Sequence, residues 1–235
     1  MIPSRQPNGR IEFSIAMTLL CVLVQTLTLT SGVFHNTRTI RILLPDGYDE
    51  RRAYPVMYLN DGQMVFRSLE KEGVEIQSLA LPPIIVVGID SAGAQRAAEY
   101  TGPSYASFLV DEVMPLVASK YRVAERPGIG GFSYGGLAAL NAVIARPGVF
   151  GRLLIESTPV GKDVPKRWPS RVFVGGGTAE PEVVNLKDYE EFAAIARRHA
   201  QVKYVVEPGA RHATSFWRGR LPGALEFLFT SPHRP

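Results

Sequence analysis

Short apolar runs recur along the chain from about residue 54 and are separated by stretches with a different pattern. The runs are short and largely apolar and cover residues 54–61, 82–90, 128–133, 150–157, 171–177 and 202–209. Continuous apolar runs of this length are typical of strands that are covered on both faces.

Helical patterns lie between several of these runs. Apolar residues recur there at intervals that place them on one face of a helix. The three sets are Phe108, Val110, Val113, Leu116 and Val117, then Leu137, Leu140 and Ile144, and then Leu186, Tyr189, Phe192, Ile195 and Ala196. The alternation predicts an α/β fold with a mainly parallel central sheet, helices on both faces and right-handed crossovers.

The chain before residue 54 has another pattern. Residues 25–31 alternate strictly between polar and apolar, and residues 37–45 are rich in β-branched side chains. Together they predict an antiparallel N-terminal hairpin that turns near residues 32–36. The length of the chain suits one large core, so residues 25–235 are predicted to form a single domain.

Residues 1–24 allow two interpretations. Arg5 and Arg10 precede an apolar run over residues 13–24, which suits the core of a signal peptide and is too short for a stable membrane span. Against a signal peptide, Glu12 interrupts the positive flank and no Ala-x-Ala cleavage site follows. An extra buried strand or helix is the alternative, so the sequence leaves exported and cytoplasmic locations open.

Composition and charge exclude several classes of protein. The chain has 26 basic and 22 acidic residues scattered without a long basic block, which argues against a nucleic-acid partner and leaves an acidic substrate open. Its one cysteine, Cys21, permits neither an intrachain disulfide nor a multi-cysteine zinc site.

The segment GIGGFSYGGLAAL places one serine between glycines, after a predicted strand and before a predicted helix. Gly131, Ser133 and Gly135 match G-x-S-x-G in the setting that this motif requires. A sharp strand-to-helix turn tolerates only very small neighbours, and it exposes the hydroxyl at a helix N-terminus that stabilises anions. Ser133 is therefore the predicted nucleophile; the alternative is a turn serine that caps the helix.

A serine nucleophile needs a base, and histidine is the usual one. The chain has four histidines, and His35, His199 and His233 each allow a plain surface interpretation. His212 follows the last predicted strand, at the carboxyl edge of the sheet. Position and elimination make it the predicted base.

The base in turn needs a carboxylate that orients it. The acids between the serine and the histidine are Glu156, Asp163, Glu180, Glu182, Asp188, Glu190, Glu191 and Glu207. Glu180 lies in a loop just past a strand end, where this group is expected, and Glu182 and Asp188 are the alternatives. The order serine, acid, histidine is that of α/β-hydrolases.

Attack by the serine places negative charge on the carbonyl oxygen, which needs fixed N–H donors. The backbone of Tyr134 is one predicted donor. The second is expected from the turn after the strand at 54–61, where the backbone of Gly62 or Gln63 could serve, and the sequence does not choose between them. An Asp-Gly turn without a catalytic role is the alternative.

These segments resemble a known family. ILLPDGYDE, YPVMYLNDGQ, IIVVGID, GGFSYGGLAAL, GGGTAE and EPGARHATSFW together resemble the Putative esterase family of α/β-hydrolases, which includes esterase D, feruloyl esterases, enterochelin-type siderophore esterases and mycolyltransferases. The resemblance assigns the nucleophile, acid and base to Ser133, Glu180 and His212. The chain departs from the family in having glutamate where aspartate is frequent and Arg211 where glycine is common.

The resemblance also implies an α/β-hydrolase fold without a large lid domain. Residues 93–104 would then form a wall of the site, with Arg96 and Glu99 joined in a local salt bridge. Phe216 and Trp217 would contact the substrate, unless they pack in the core.

The predicted function is a serine carboxylic-ester hydrolase that acts on a small-molecule ester through an acyl-enzyme and needs no metal or organic cofactor. Aryl, sugar, siderophore and simple short-chain esters all remain candidate substrates. An acyltransferase with the same site and a binding protein without turnover are the alternatives. The oligomeric state cannot be read from the sequence.

Overall fold

One eight-stranded sheet organises the computed structural model, which describes residues 24–66 and 74–230. The strands follow the apolar and alternating runs of the sequence. They are β1 Gln25–Ser31, β2 Asn36–Leu43, β3 Val56–Asn60, β4 Ile85–Ile89, β5 Gly128–Phe132, β6 Arg152–Glu156, β7 Arg171–Gly177 and β8 Gln201–Glu207. Their spatial order is β1-β2-β4-β3-β5-β6-β7-β8.

The sheet is antiparallel at one edge and parallel elsewhere. Strand β1 pairs antiparallel with β2, and β2 pairs antiparallel with β4. The pairs from β4 through β3, β5, β6 and β7 to β8 are all parallel. The predicted hairpin and the predicted parallel sheet are both confirmed, and all residues of the central strands β3, β4 and β5 are buried.

Helices cover both faces of the sheet. They are α1 Gly62–Val65, α2 Arg96–Thr101, α3 Tyr105–Ser107, α4 Met114–Ala118, α5 Tyr134–Ala145, α6 Leu186–Ala196 and α7 Thr214–Phe229. A π-helical stretch, Phe108–Val113, joins α3 to α4, and single 3₁₀ turns lie at Ile76–Ser78 and Gly93–Gln95. The helical patterns of the sequence correspond to the α3–α4 segment, α5 and α6.

Sequence patterns missed the longest helix, α7. Its sequence contains Gly219, Pro222 and Gly223, which disfavour a helix when judged locally. The helix is stabilised by packing instead, because Leu221, Leu225 and other apolar side chains are buried against one face of the sheet. Tertiary burial thus outweighs the local preference.

The segment 1–24, for which the sequence left a signal peptide and a buried strand or helix open, lies almost wholly outside the described residues. His233 also lies outside them. Within the described ranges, no helix is both long enough and apolar enough to cross a membrane.

Candidate active site

Ser133 stands at the turn between β5 and α5 in a strained backbone conformation. Its φ of 55° and ψ of −130° lie outside the regions that a serine ordinarily adopts. The backbone N–H of Ser133 donates to the carbonyl of Glu156, 2.8 Å away, which ties the turn to strand β6. The half-exposed side chain projects at the carboxyl edge of the sheet.

The glycines around the serine are required by space. A Cβ on Gly131 would lie 2.6 Å from the carbonyl carbon of Gly135, and one on Gly135 would lie 2.7 Å from Asp61 Oδ2. A Cβ on Gly136 would lie 1.9 Å from Thr158 Oγ1. The helix therefore approaches the sheet more closely than any larger residue permits.

This close approach predicts the effect of Gly136→Ala. The added methyl group must displace buried Thr158, so we expect the free energy of unfolding to fall by about 1–3 kcal/mol. Gly219→Ala is the matched control, because nothing lies within 4 Å of its Cβ position in helix α7, and it should stabilise by about 0.5–1 kcal/mol. Urea unfolding of both variants measures the difference, and equal stabilities would contradict the packing argument.

His212 and Glu180 meet beyond the ends of β7 and β8. The Nδ1 atom of His212 lies 2.8 Å from Oε2 of Glu180. The glutamate is fully buried, whereas the histidine side chain keeps 28% of its surface exposed. A carboxylate placed in this way holds the ring and favours the tautomer with its proton on Nδ1.

The carboxylate of Glu180 stays ionised despite its burial. Desolvation raises its pKa, but hydrogen bonds from His212, Ser157 and Gly177 outweigh that effect, and the net pKa is lowered. Ser157 Oγ donates to Oε1 at 2.8 Å, and the N–H of Gly177 donates to the same oxygen at 2.6 Å.

Aromatic packing brings the serine segment and the histidine segment together. The ring of Phe132, next to the serine, stacks on Trp217 with centroids 4.8 Å apart and planes 9° apart. Trp217 in turn contacts His212 edge-on at 5.1 Å. Among the described residues the Ser133 hydroxyl makes no hydrogen bond to the imidazole. The hydrogen bond between Glu180 and His212 is therefore the contact that is formed within the predicted catalytic set.

The other candidate residues lie elsewhere. His35 is in the exposed turn between β1 and β2, and His199 stacks on Trp168 at the surface. Glu182 is exposed, and Asp188 is in the first turn of α6. In the described ranges, no three His, Cys, Asp or Glu side chains lie close enough together to hold a metal ion.

The predicted oxyanion donors lie at two adjacent helix N-termini. Tyr134 begins α5, and Gly62 and Gln63 begin α1. The two helix ends are joined, because Asn60 Nδ2 donates to the carbonyl of Gly135 at 2.6 Å. N–H groups in the first turn of a helix have no partner within the helix, so both ends offer donors at this edge.

The expected salt bridge between Arg96 and Glu99 is wrong. Arg96 instead pairs with buried Asp61 through Nε–Oδ1 at 2.6 Å and a second bond of 2.8 Å. Glu99 pairs with Arg38 of β2. Each side chain therefore bonds to a residue that is distant in sequence, because those buried partners must also be neutralised.

The segment over residues 93–104 nevertheless lies beside the site. The guanidinium of Arg96 is 5.9 Å from the ring centroid of Tyr134. Tyr134 is 42% exposed, although most large apolar and aromatic side chains of the described residues are buried. An aromatic ring and a cation thus stand next to the serine.

Phe216 and Trp217 occupy positions that differ from each other. Trp217 is only 5% exposed, and its ring packs on Phe132 and His212, so this placement does not support its predicted contact with substrate. Phe216 is half-buried and lines a surface groove with Val205, Val206 and Pro208 beside strand β8.

Sequence reasoning missed the setting of Glu156, at the end of β6. Its fully buried carboxylate accepts from Arg220 Nε at 3.0 Å, and Arg220 also donates to Glu207 at 2.6 Å. Burial raises the pKa of Glu156 to about 7; the positive charge of Arg220 opposes the shift, while Glu180 and Glu207 add to it. Only the fold reveals this group, because nothing near it in sequence marks it.

The raised pKa of Glu156 predicts a pH-dependent stability. A glutamate in the unfolded chain titrates near pH 4.3, whereas Glu156 in the fold titrates at about 7. Between these values the folded protein keeps a proton that the unfolded chain has lost, so stability falls as pH rises. We expect a fall on the order of 2–3 kcal/mol that Glu156→Gln abolishes. Urea unfolding from pH 4.5 to 7.5 measures it, and parallel curves for the two proteins would refute it.

Known proteins resemble this chain in sequence. The model of the family described as Putative esterase matches residues 31–170. The iron(III) enterobactin esterase of Dickeya dadantii is 27% identical over 267 aligned residues, which cover 97% of this chain and 60% of that protein. The uncharacterized protein YbbA of Bacillus subtilis is 26% identical over 49% of this chain and 54% of its own length. The chain thus spans little more than half of these relatives.

Solved structures share the architecture. The enterobactin esterase of Shigella flexneri, crystallised with 2,3-dihydroxy-N-benzoyl-serine, has a TM-score of 0.68 and 22% identity, with 87% of this chain and 58% of that chain covered. The CE1 ferulic acid esterase of Anaeromyces mucronatus, in complex with ferulic acid, has a TM-score of 0.71 and 19% identity, with 88% and 90% covered. Similarity at these identities demonstrates a common α/β-hydrolase fold.

Proposed function

The chain belongs to the Putative esterase family, and on that premise we propose that it hydrolyses carboxylic esters through Ser133, His212 and Glu180. The observation that carries the proposal is the buried carboxylate of Glu180, 2.8 Å from His212 Nδ1, at the sheet edge where the strained Ser133 turn lies. A histidine oriented by a buried acid beside a serine on a strained turn is suited to nucleophilic catalysis.

The reaction begins with proton transfer from the serine. Glu180 accepts a hydrogen bond from the Nδ1–H of His212, so the Nε2 lone pair is free to take the proton of the Ser133 hydroxyl as its oxygen attacks the ester carbonyl. The imidazolium then gives this proton to the leaving alcohol, and an acyl-enzyme remains. Water, activated by the same histidine, releases the acid and restores the serine.

Charge on the carbonyl oxygen is stabilised by the two helix N-termini. The N–H of Tyr134 and that of Gly62 or Gln63 are the proposed donors. Loss of one such donor costs roughly 2.7–4 kcal/mol in other enzymes of this type. The backbone of these donors is preorganised before substrate binds, because Asn60 bonds to Gly135 and the Gln63 side chain bonds to Ser91.

The proposed substrates are esters of hydroxylated aromatic acids. The two solved relatives were crystallised with 2,3-dihydroxy-N-benzoyl-serine and with ferulic acid, both of which carry such a ring. In this chain the exposed ring of Tyr134 follows the nucleophile directly, and Arg96 stands behind it. An exposed aromatic face next to the nucleophile favours an aryl group that can stack on it.

A panel of esters tests both parts of the proposal. We expect hydrolysis of a 2,3-dihydroxybenzoyl ester and of methyl ferulate, with kcat/KM at least about tenfold above that for the matched cyclohexanecarboxylate ester. Failure of the folded protein to hydrolyse any ester would refute the function. Equal rates on aryl and alicyclic esters would refute the substrate class alone. Added alcohol acceptors show whether the acyl group passes to water or to another hydroxyl.

A further inference from the structure

We propose that Ser157 and Trp217 are positioning residues that fix the carboxylate of Glu180 for His212. The inference rests on the proposed function, since it assigns a role within the same site. Neither residue is part of the serine, acid and histidine set, and the Ser157 hydroxyl and the Trp217 indole N–H would act only through Glu180.

Three hydrogen bonds link these residues in a line. Trp217 Nε1 donates to Ser157 Oγ at 2.9 Å, and Ser157 Oγ donates to Glu180 Oε1 at 2.8 Å. The other carboxylate oxygen, Oε2, lies 2.8 Å from His212 Nδ1. Ser157 and Glu180 are fully buried and Trp217 is nearly so, so water does not compete at these bonds.

The direction of each bond follows from the chemistry of the groups. An indole nitrogen can only donate, so Trp217 must use Ser157 Oγ as an acceptor. A serine hydroxyl has one proton, and the ionised carboxylate of Glu180 can only accept. The indole therefore orients the hydroxyl, and the hydroxyl proton goes to Oε1. Because Oε1 also takes the N–H of Gly177 at 2.6 Å, Oε2 is the oxygen presented to the histidine.

The two ends of this series of hydrogen bonds, Trp217 and His212, are also close to each other along the chain. Trp217 lies in α7, five residues after His212, and the two rings touch edge-on. The contacts thus form a closed cycle. It runs from His212 through Glu180, Ser157 and Trp217 back to His212. If the Glu180 carboxylate rotated, it would lose its bonds to Ser157 and to His212 together. These combined bonds resist rotation more strongly than the bond to His212 alone.

The backbone at Ser157 is held in an unusual state that serves this arrangement. Its φ of 47° lies in the left-handed region, which serine rarely adopts, and its N–H donates to the carbonyl of Gly175 at 2.8 Å. Strain of this kind is kept where the surrounding structure requires it, commonly at functional sites. Glycine tolerates this φ well, so Ser157→Gly removes the hydroxyl without adding strain.

The kinetic test uses a double-mutant cycle. Trp217→Phe keeps an aromatic ring on Phe132 and His212 but removes the N–H donor, and Ser157→Gly removes the link to Glu180. We expect each to lower kcat about tenfold with KM changed less than about twofold. Because Trp217 would act through Ser157, the double variant should be no slower than Ser157→Gly alone. Independent, multiplying losses would overturn the proposal.

Nitrogen-15 NMR tests the chain of bonds without activity. The protein has two tryptophans, so it should give two indole N–H signals, assigned with Trp168→Phe. Trp168 packs on Phe192 and His199 away from the site, and its replacement should leave kcat unchanged. In Ser157→Gly only the Trp217 signal should move; an unmoved signal would overturn the proposal. If the wild type hydrolysed no ester, the proposed function would fail, while this spectrum would still decide whether the bonds exist.

Discussion

Replacement of Ser133 by alanine is expected to lower kcat for ester hydrolysis by at least about 10⁴-fold, with little effect on the fold. Removal of the nucleophile in a serine hydrolase leaves only binding and oxyanion stabilisation, and comparable losses reach about 10⁶-fold. Alanine carries the same Cβ as serine, so the strained turn between β5 and α5 keeps its contacts. Steady-state kinetics on the preferred ester of the panel measure the loss.

A fluorophosphonate probe gives the matched measurement for Ser133. The wild-type protein should be labelled at one serine, and Ser133→Ala should not be labelled. Ser215→Ala is the control, because this serine is exposed in the first turn of α7, close in sequence to His212. Near-normal turnover or labelling of Ser133→Ala would show that another residue is the nucleophile.

Glu180→Gln should cause the second large loss, about 10⁴-fold in kcat. The amide can donate a hydrogen bond to Nδ1, which favours the tautomer with the proton on Nε2 and leaves His212 unable to accept the serine proton. The amide also carries no negative charge to stabilise the imidazolium. Glu182→Gln is the matched control: it lies two residues away, is exposed and should retain full activity. Equal losses in the two variants would contradict the assignment of the acid.

The same variant has a signature in stability. The folded-state pKa of Glu180 is lowered, so its ionised form stabilises the fold above the unfolded value of about 4.3. This contribution is lost as pH falls through the folded pKa. The stability advantage of the wild type over Glu180→Gln should therefore shrink on acidification below about pH 4.3. An advantage that grows on acidification would refute the ionised, hydrogen-bonded carboxylate.

Strands proved easier to predict than helices in this chain. The run at 171–177 matches β7 at both ends, and the run at 82–90 contains β4, because a strand covered on both faces must be apolar throughout. Helix α7 was missed because Pro222 and two glycines lower the local helix propensity of its sequence. Packing against the sheet is what makes the helix stable there. Local propensity decides little where tertiary contacts supply most of the helical stability.

The candidate site divides in the same way. Ser133 could be predicted because its turn requires small residues nearby in sequence, and the glycines around it are visible there. Glu180 could be ranked but not separated chemically from Glu182, since the two differ mainly in burial. The partners of Arg96 and Glu99 were assigned wrongly, because a sequence shows which charges are near along the chain and not which buried charges need neutralising.

The sequence alone determined the alternation of strands and helices, the strained serine turn and the membership of the esterase family, since each depends on residue types at short, regular spacing. The tertiary structure decided which oxygen of Glu180 faces His212, how Ser157 and Trp217 hold that carboxylate, and how far burial shifts the pKa of Glu156. These features join groups up to 64 residues apart. Their energies depend on exclusion from water and on distance in space, neither of which is encoded in any local stretch of the chain.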